Sequence, residues 1–279
     1  MSYNKIAEIT VFFWILKILA TTLGETTGDM LAHTLNMGYA VELLVTSAIL
    51  LVLLVMQIKA NKFHSALFWA AIIGTTTVGT EISDFMDRTL GLGYMYGSLI
   101  LVASLIGTLA FWYACEKSLH IYPIKRKFPE IMFWVAVLFS NSLGTAFGDY
   151  LTDNLELSYV QGALVTSGVI GVVILLHYAT KVNQVLLFWV AFVFTRPFGA
   201  TFGDLLTKPV NDGGINLGTI QASAVTVCVF AAVLFASRKF YHETEWKGDL
   251  HYEKSKKLSF ISRLPCNRIR FRHCIRHGK

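Results

Sequence analysis

Trp14, Trp69, Trp134 and Trp189 each stand in an apolar run, and each is followed fifteen residues later by an aspartate: Asp29, Asp84, Asp149 and Asp204. Ten residues after each tryptophan comes a glycine (Gly24, Gly79, Gly144, Gly199), and fourteen after it a second small residue (Gly28, Ser83, Gly148, Gly203). Half of the chain's eight aspartates thus share one offset, which an internal repeat explains. Tyr39, Tyr94 and Tyr159 add a fainter echo twenty-five residues after the tryptophan, where the fourth unit has Gly214 and has gained a residue. The units are spaced 55, 65 and 55 residues apart. The fold must therefore be one module used four times, in two halves joined by a longer loop.

Each unit holds two apolar runs of about 20 residues, the length that crosses a bilayer as helix. Charged residues make up 15% of the 279-residue chain, against about 25% in soluble domains, so lipid is the expected solvent. Alternating ten-residue segments are absent, which argues against a β-barrel. The expected fold is an all-α membrane protein with eight transmembrane helices, centred near residues 20, 49, 74, 103, 140, 169, 195 and 227. The repeats cover about 10–60, 65–116, 130–180 and 185–237, within a transmembrane domain of residues 1–237. Two spans per unit make the four units parallel repeats, all running in one direction. The first run, from Ile6 to about Leu35, contains Glu25 and Asp29; carboxylates do not suit a cleaved signal core, so a retained span is expected.

Lys59, Lys62, Lys181 and the basic loop Glu116–Glu130 lie on one side of the expected spans, whereas Asn36, Asp153, Asn154, Glu156, Asn211 and Asp212 lie on the other. Arg88 and Lys208 are the main cations of that second side. Lysine and arginine favour the cytoplasm, which places both termini inside a multi-pass protein of the bacterial inner membrane. Residues 238–279 form a basic tail with Arg263, Arg268, Arg270, Arg272 and Arg276. Anionic lipid is its expected partner, at about 1 kcal/mol per basic residue near the surface. Cys266, His273, Cys274 and His277 are thiolate and imidazole groups that could ligate metal, but their spacing fits no standard zinc module. Cys115 and Cys228 lie in or at the ends of apolar runs, and no disulfide framework is indicated.

Two small residues four apart let another helix approach closely in lipid, so Gly24, Gly28, Gly79, Ser83, Gly144, Gly148, Gly199 and Gly203 are expected packing positions. Packing does not account for the aspartates, each of which costs about 2.5–3.5 kcal/mol at a helix centre. Other oxygen groups stand nearby. Glu25 lies four residues before Asp29, Glu81 and Asp87 flank Asp84 at three-residue steps, and Asp153 lies four after Asp149, with threonines alongside. The expected cation-binding set is Asp29, Asp84, Asp149, Asp204, Glu25, Glu81, Asp87 and Asp153, with the four repeated aspartates as metal ligands. Carboxylates and hydroxyls suit Mn²⁺, Mg²⁺ or Ca²⁺; Na⁺ and H⁺ are open on the same chemistry. His33 reads as a helix-end residue. An aspartate could instead cap a helix or pair with Arg196 or Lys208. Arg196 precedes Pro197, which can kink or break a helix; its charge either compensates the carboxylates between states or forms a fixed ion pair.

The GETTGD, GTEISD, GTAFGD and GATFGD stretches resemble a bacterial family of integral membrane proteins built from a repeated two-helix unit with a Gly-x-x-x-Gly-Asp motif. The likeness covers residues 10–237 and implies membrane location and repeat architecture, with no assigned function. The Glu25-x-x-Gly-Asp29 stretch is also similar to acidic Gly-Asp motifs of some manganese and calcium exporters. The expected function is secondary transport of a cation, with manganese favoured. The alternatives are a cation channel with an aspartate ring and a membrane sensor or assembly protein. No Ser/His/Asp or Cys/His constellation lies within the spans, so neither catalysis nor a cofactor is expected.

Overall fold

The structure, a computed structural model, describes residues 5–31 and 38–262, with backbone only for Asp212 and residues 241–262. His33, Asn36, the tail residues Cys266, His273, Cys274 and His277, and the arginines from Arg263 onward lie outside the described residues. Each repeat folds as a helix pair. The helices are α1 (Val11–Asp29), α2 (Tyr39–Lys59), α3 (Ser65–Asp84), α4 (Gly93–Glu116), α5 (Lys127–Asp149), α6 (Tyr159–Ala179), α7 (Gln184–Thr207) and α8 (Thr219–Ser262). No strand occurs among the described residues.

Local chemistry sets several of the helix ends. The Thr10 hydroxyl accepts from the Phe13 N–H, and Ser158 and Gln161 form a reciprocal capping box, each supplying an acceptor that the first helical turn lacks. At the other end, α3 and α5 run straight into single π-helical turns, Phe85–Thr89 and Tyr150–Asn154, and α1 continues in the same way at Met30 and Leu31. The fourth repeat differs. The chain folds back so that the Ile215 and Leu217 N–H groups bond the Leu205 and Leu206 carbonyls at 2.7 and 2.9 Å. Gly213 makes this turn possible at φ 85°.

The odd-numbered helices pack in a closed cycle, α1 on α3, α3 on α5, α5 on α7 and α7 on α1. The even-numbered helices lie outside, α2 on α3, α4 on α5 and α6 on α7. At α8 the Ser223 hydroxyl donates to Thr26 Oγ1 of α1 at 2.9 Å. Each outer helix thus rests on the inner helix of the next repeat, and the fourth returns to the first.

The repeated small residues form the seams of this ring. A Cβ added at Gly24 would collide with Thr76, one at Gly79 with Asn141, one at Gly144 with Arg196, and one at Gly199 with Thr21. In every seam the glycine ten residues after a tryptophan meets the residue seven after the next tryptophan. One turn further on, Gly28 meets Thr80, Gly148 meets Ala200 and Gly203 meets Glu25. The other end of the ring is closed by aromatic rings in the same cycle. Phe13 packs on Trp69, Phe68 on Trp134, Phe133 on Trp189 and Phe188 on Trp14, with centroids 5.6, 5.6, 6.3 and 5.6 Å apart.

Polarity is arranged inside out. The outer helices bury only a narrow stripe, such as Glu42, Thr46, Leu50 and Gln57 on α2, while Val41, Leu44, Leu51 and Val52 of that helix are exposed. Among the described residues, six helices are long and apolar enough to cross a membrane: α2, α4, α5, α6, α7 and α8 over Thr219–Phe240. The inner helices α1 and α3 fall short of that apolarity because their threonines, with Lys17 and Glu25 or Glu81, turn toward neighbouring helices. This part of the chain forms one compact unit, Met1–Leu234; Phe235–Lys279 is a second, in which helix extends to Ser262.

Gly144→Leu should therefore lower stability by about 1–3 kcal/mol through overpacking, read as a drop in the thermal unfolding midpoint in detergent. Gly171→Leu should leave the midpoint nearly unchanged, because none of the described residues lies within 4 Å of its added Cβ. Equal effects of the two substitutions would contradict the tight seam.

Candidate functional site

The layer seven residues after each tryptophan holds Thr21, Thr76, Asn141 and Arg196, all fully buried. Pro197 does not break α7, which is helical throughout. The Arg196 guanidinium reaches across the ring: Nη2 donates to Glu25 Oε2 at 2.7 Å and to the Thr80 hydroxyl, and Nη1 donates to the Thr21 carbonyl at 3.3 Å. The Thr80 hydroxyl in turn lies 3.4 Å from Glu25 Oε2. Arg196 therefore belongs to Glu25 in a hydrogen-bonded ion pair and engages none of the repeated aspartates.

A second fully buried basic side chain, Lys17, stands beside this layer. Its Nζ donates to Asn141 Oδ1 at 2.8 Å and lies 4.2 Å from the centre of the Phe192 ring, while the Asn141 amide donates to Thr75 Oγ1 at 3.2 Å. The sequence reading missed Lys17. The signal was present, since the corresponding residues in the other repeats are Ile72, Val137 and Phe192.

The four repeated aspartates occupy equivalent places, with 8, 8, 9 and 8% of their surface exposed. Asp29, Asp84 and Asp149 are the last residues of their helices and Asp204 is three from the end of α7. They therefore lie at one end of the ring, and its middle layer is instead occupied by Glu25 and Arg196. A carboxylate near a helix C-terminus opposes the helix dipole, and two cations offset this. Arg88 lies 3.3 Å from Asp84 and 3.8 Å from Asp149. Lys208 lies 3.1 Å from Asp29 and 3.3 Å from Asp204. Burial works against the Lys208 charge, but the Asp204 and Asp29 carboxylates outweigh it and hold the ammonium above the ordinary lysine range. Both cations stand nineteen residues after their tryptophan, where the first and third repeats carry His33 and Asp153. Pseudo-fourfold geometry thus carries a twofold charge pattern, one cation across the α3/α5 seam and one across α7/α1.

The other expected ligands are not brought to this layer. Each three-residue step leaves a net turn of about 60° at 3.6 residues per turn, so Glu81, Asp84 and Asp87 fan across the surface of α3 and its π-turn toward different neighbours. Glu81 accepts from the Thr46 hydroxyl of α2. Asp87 accepts from Ser83 at 3.2 Å and packs against Gly97 of α4. Asp153 accepts from Tyr94 at 2.8 Å. Among the described residues no three of His, Cys, Asp and Glu converge on a point where they could hold a metal ion. Chemically, the ring offers paired carboxylates that already carry cationic partners, above a fixed ion pair.

The buried pair makes a direct prediction. Arg196→Leu leaves Glu25 without its cation and should cost about 3–5 kcal/mol, while the double variant Arg196→Leu/Glu25→Leu should recover most of that. Thermal unfolding of the three proteins in one detergent checks it. A double variant no better than the single would show that the two residues are not coupled.

Comparison with curated proteins returned no match, and comparison with solved structures returned none either. The profile of a repeat matches the chain four times, over residues 12–63, 67–118, 132–183 and 187–240. These stretches coincide with the four helix pairs and include every seam glycine and every repeated aspartate. The chain belongs to the family described as Repeat of Unknown Function (DUF347).

Proposed function

We propose that the chain is a secondary cation transporter of the bacterial inner membrane, with eight spans as four parallel repeats and both termini in the cytoplasm. The seam registers support the parallel reading. Ten meets seven and fourteen meets eleven, so position advances in the same sense on both helices of a seam. The membrane reading draws support from the apolar outer faces and the charges turned inward, since intramembrane charges face a bundle interior or a path through it.

The observation that carries the transport reading is the pair of bridged carboxylate couples, Asp84–Arg88–Asp149 and Asp204–Lys208–Asp29. The carboxylates are nearly buried, but the Arg88 and Lys208 side chains remain 40 and 34% exposed. Each of these side chains can swing toward water while its aspartates stay in place. A small inorganic cation competing for the same oxygens would take their position, so binding is an exchange of one positive charge for another. Mn²⁺ is the first probe, because an all-oxygen ligand set suits it. Further along the ring, Arg196 and Glu25 form a buried ion pair in the middle layer. A middle layer filled in this way disfavours continuous conduction and favours a stepwise transporter over a channel.

In proteoliposomes containing the full chain, Mn²⁺ uptake should compete with other divalent cations and should disappear in Asp29→Asn and in Asp149→Asn. Lys208→Gln removes the built-in competitor and should lower the half-saturating Mn²⁺ concentration. No flux of Mn²⁺, Mg²⁺, Ca²⁺ or Na⁺ through folded protein would refute the transport reading.

A further inference from the structure

The seam between α2 and α3 differs from the other seams between outer and inner helices. Glu42 stands twenty-eight residues after Trp14, where the second and third repeats have Gly97 and Gly162, and the fourth, with its extra residue, has Gly218. Glu81 stands twelve after Trp69, where the others have Thr26, Ala146 and Thr201. These two positions meet across a seam: Gly162 packs on Thr201, and Glu42 faces Glu81. A pair of acids has thus replaced a glycine–threonine contact, and only at this seam.

Glu42 and Glu81 are each 1% exposed. Thr46 donates to Glu81 Oε2, while both oxygens of Glu42 and Oε1 of Glu81 have no donor among the described residues. Of the seven other buried carboxylates among the described residues, Glu25, Asp29, Asp84, Asp149, Asp204 and Glu130 have an ion-pair partner, and Asp87 accepts from Ser83. The charged groups facing Glu42 from α1 and α3 are Asp29 and Asp84, both acidic, and they are engaged by Lys208 and Arg88. On α5, the acidic residues Glu130 and Asp149 are engaged by Lys5 and Arg88. Two facing carboxyl groups in a water-poor seam both carry charge only when a nearby cation offsets the second.

We propose that Glu42 and Glu81 form a proton-binding site, in which one carboxylic acid O–H donates to the other carboxylate and the pair holds one proton and one negative charge. Its role in coupling rests on the transport reading; its proton does not. The pair adjoins the ring at Gly28, whose added Cβ would lie 3.8 Å from Glu42 Oε1 and 3.5 Å from Thr80 Cγ2. Thr80 is the residue that contacts both Glu25 and Arg196. Release of the proton breaks one O–H bond, sends the proton to solvent and leaves a second negative charge beside the ring. That charge favours entry of a cation, and reprotonation favours its release. The proton is then the counter-ion of exchange.

Infrared difference spectroscopy on the full chain in lipid tests the site directly. At neutral pH the wild type should show a carboxylic-acid C=O band that shifts in D₂O, and Glu42→Gln/Glu81→Gln should lack one such carboxyl. Glu42→Gly/Glu81→Thr, which copies the contact that this chain already builds between Gly162 and Thr201, should lose the same band and guards against a folding artefact. Identical carboxylic-acid absorption in the wild type and both variants would overturn the proposal. If the band is lost from the variants while wild-type liposomes pass no cation, the proton site stands and the transport reading falls. If Mn²⁺ flux keeps its full dependence on an imposed pH gradient in Glu42→Gly/Glu81→Thr, the coupling role is overturned.

Discussion

The structure depends on one contact made four times, a glycine of one inner helix against the side chain seven residues after the tryptophan of the next. Without hydrophobic drive between helices in lipid, close approach at small residues is what holds such helices together. Because the contact is cyclic, it closes a ring, and because the facing residue is fully buried, the ring decides which polar groups its interior contains. Thr21 and Thr76 give that layer hydroxyls that donate to carbonyls of their own helices, and Asn141 gives it an amide that donates to Thr75. Arg196 makes it charged, and among the described residues the carboxylate that its guanidinium meets is Glu25.

Differences between equivalent positions carry the chemistry. The four repeats share their backbone, their seams and their aspartates, and diverge at the residues that assign charge. Lys17, Glu25 and Glu42 are peculiar to the first repeat, Glu81 to the second and Arg196 to the fourth, while Arg88 and Lys208 alternate around the aspartate layer. A symmetric ring of four carboxylates would repel itself. Two bridging cations resolve this in pairs, and the aspartates can remain nearly buried at helix ends where the dipole opposes them. The aromatic cycle at the other end needs no such variation, and the Phe-Trp pair occurs unchanged in all four repeats.

The repeat, its helical character and the equivalence of the four aspartates were legible because they depend on spacing alone. Partners were less legible, since a partner depends on which face a residue presents and on which helix lies opposite. Glu81, Asp84 and Asp87 are close in sequence and point in three directions. Glu25 and Asp29 do share a face, yet one bonds a guanidinium from α7 and the other an ammonium beyond its end. Arg196 was expected either to compensate the carboxylates or to form a fixed ion pair; it pairs with Glu25, about two turns before the aspartate layer. Lys17 and Glu42 escaped notice because each is a single charge in an apolar run, and only alignment of the repeats exposes them as departures. The phenylalanine preceding each tryptophan was equally readable and was passed over as ordinary apolar content.

Closure of the ring, with the fourth repeat returning to the first, is the claim on which everything else depends. Its most direct test is a disulfide between Thr26→Cys and Ser223→Cys, whose native hydroxyls lie 2.9 Å apart across α1 and α8. In a background without other cysteines, mild oxidation followed by cleavage at a protease site inserted in the loop between α4 and α5 should leave the two halves joined on a non-reducing gel. Thr26→Cys paired with Ser167→Cys should give separate halves. Separate halves from the Thr26→Cys/Ser223→Cys protein under the same oxidation would contradict the closed ring and the site built within it.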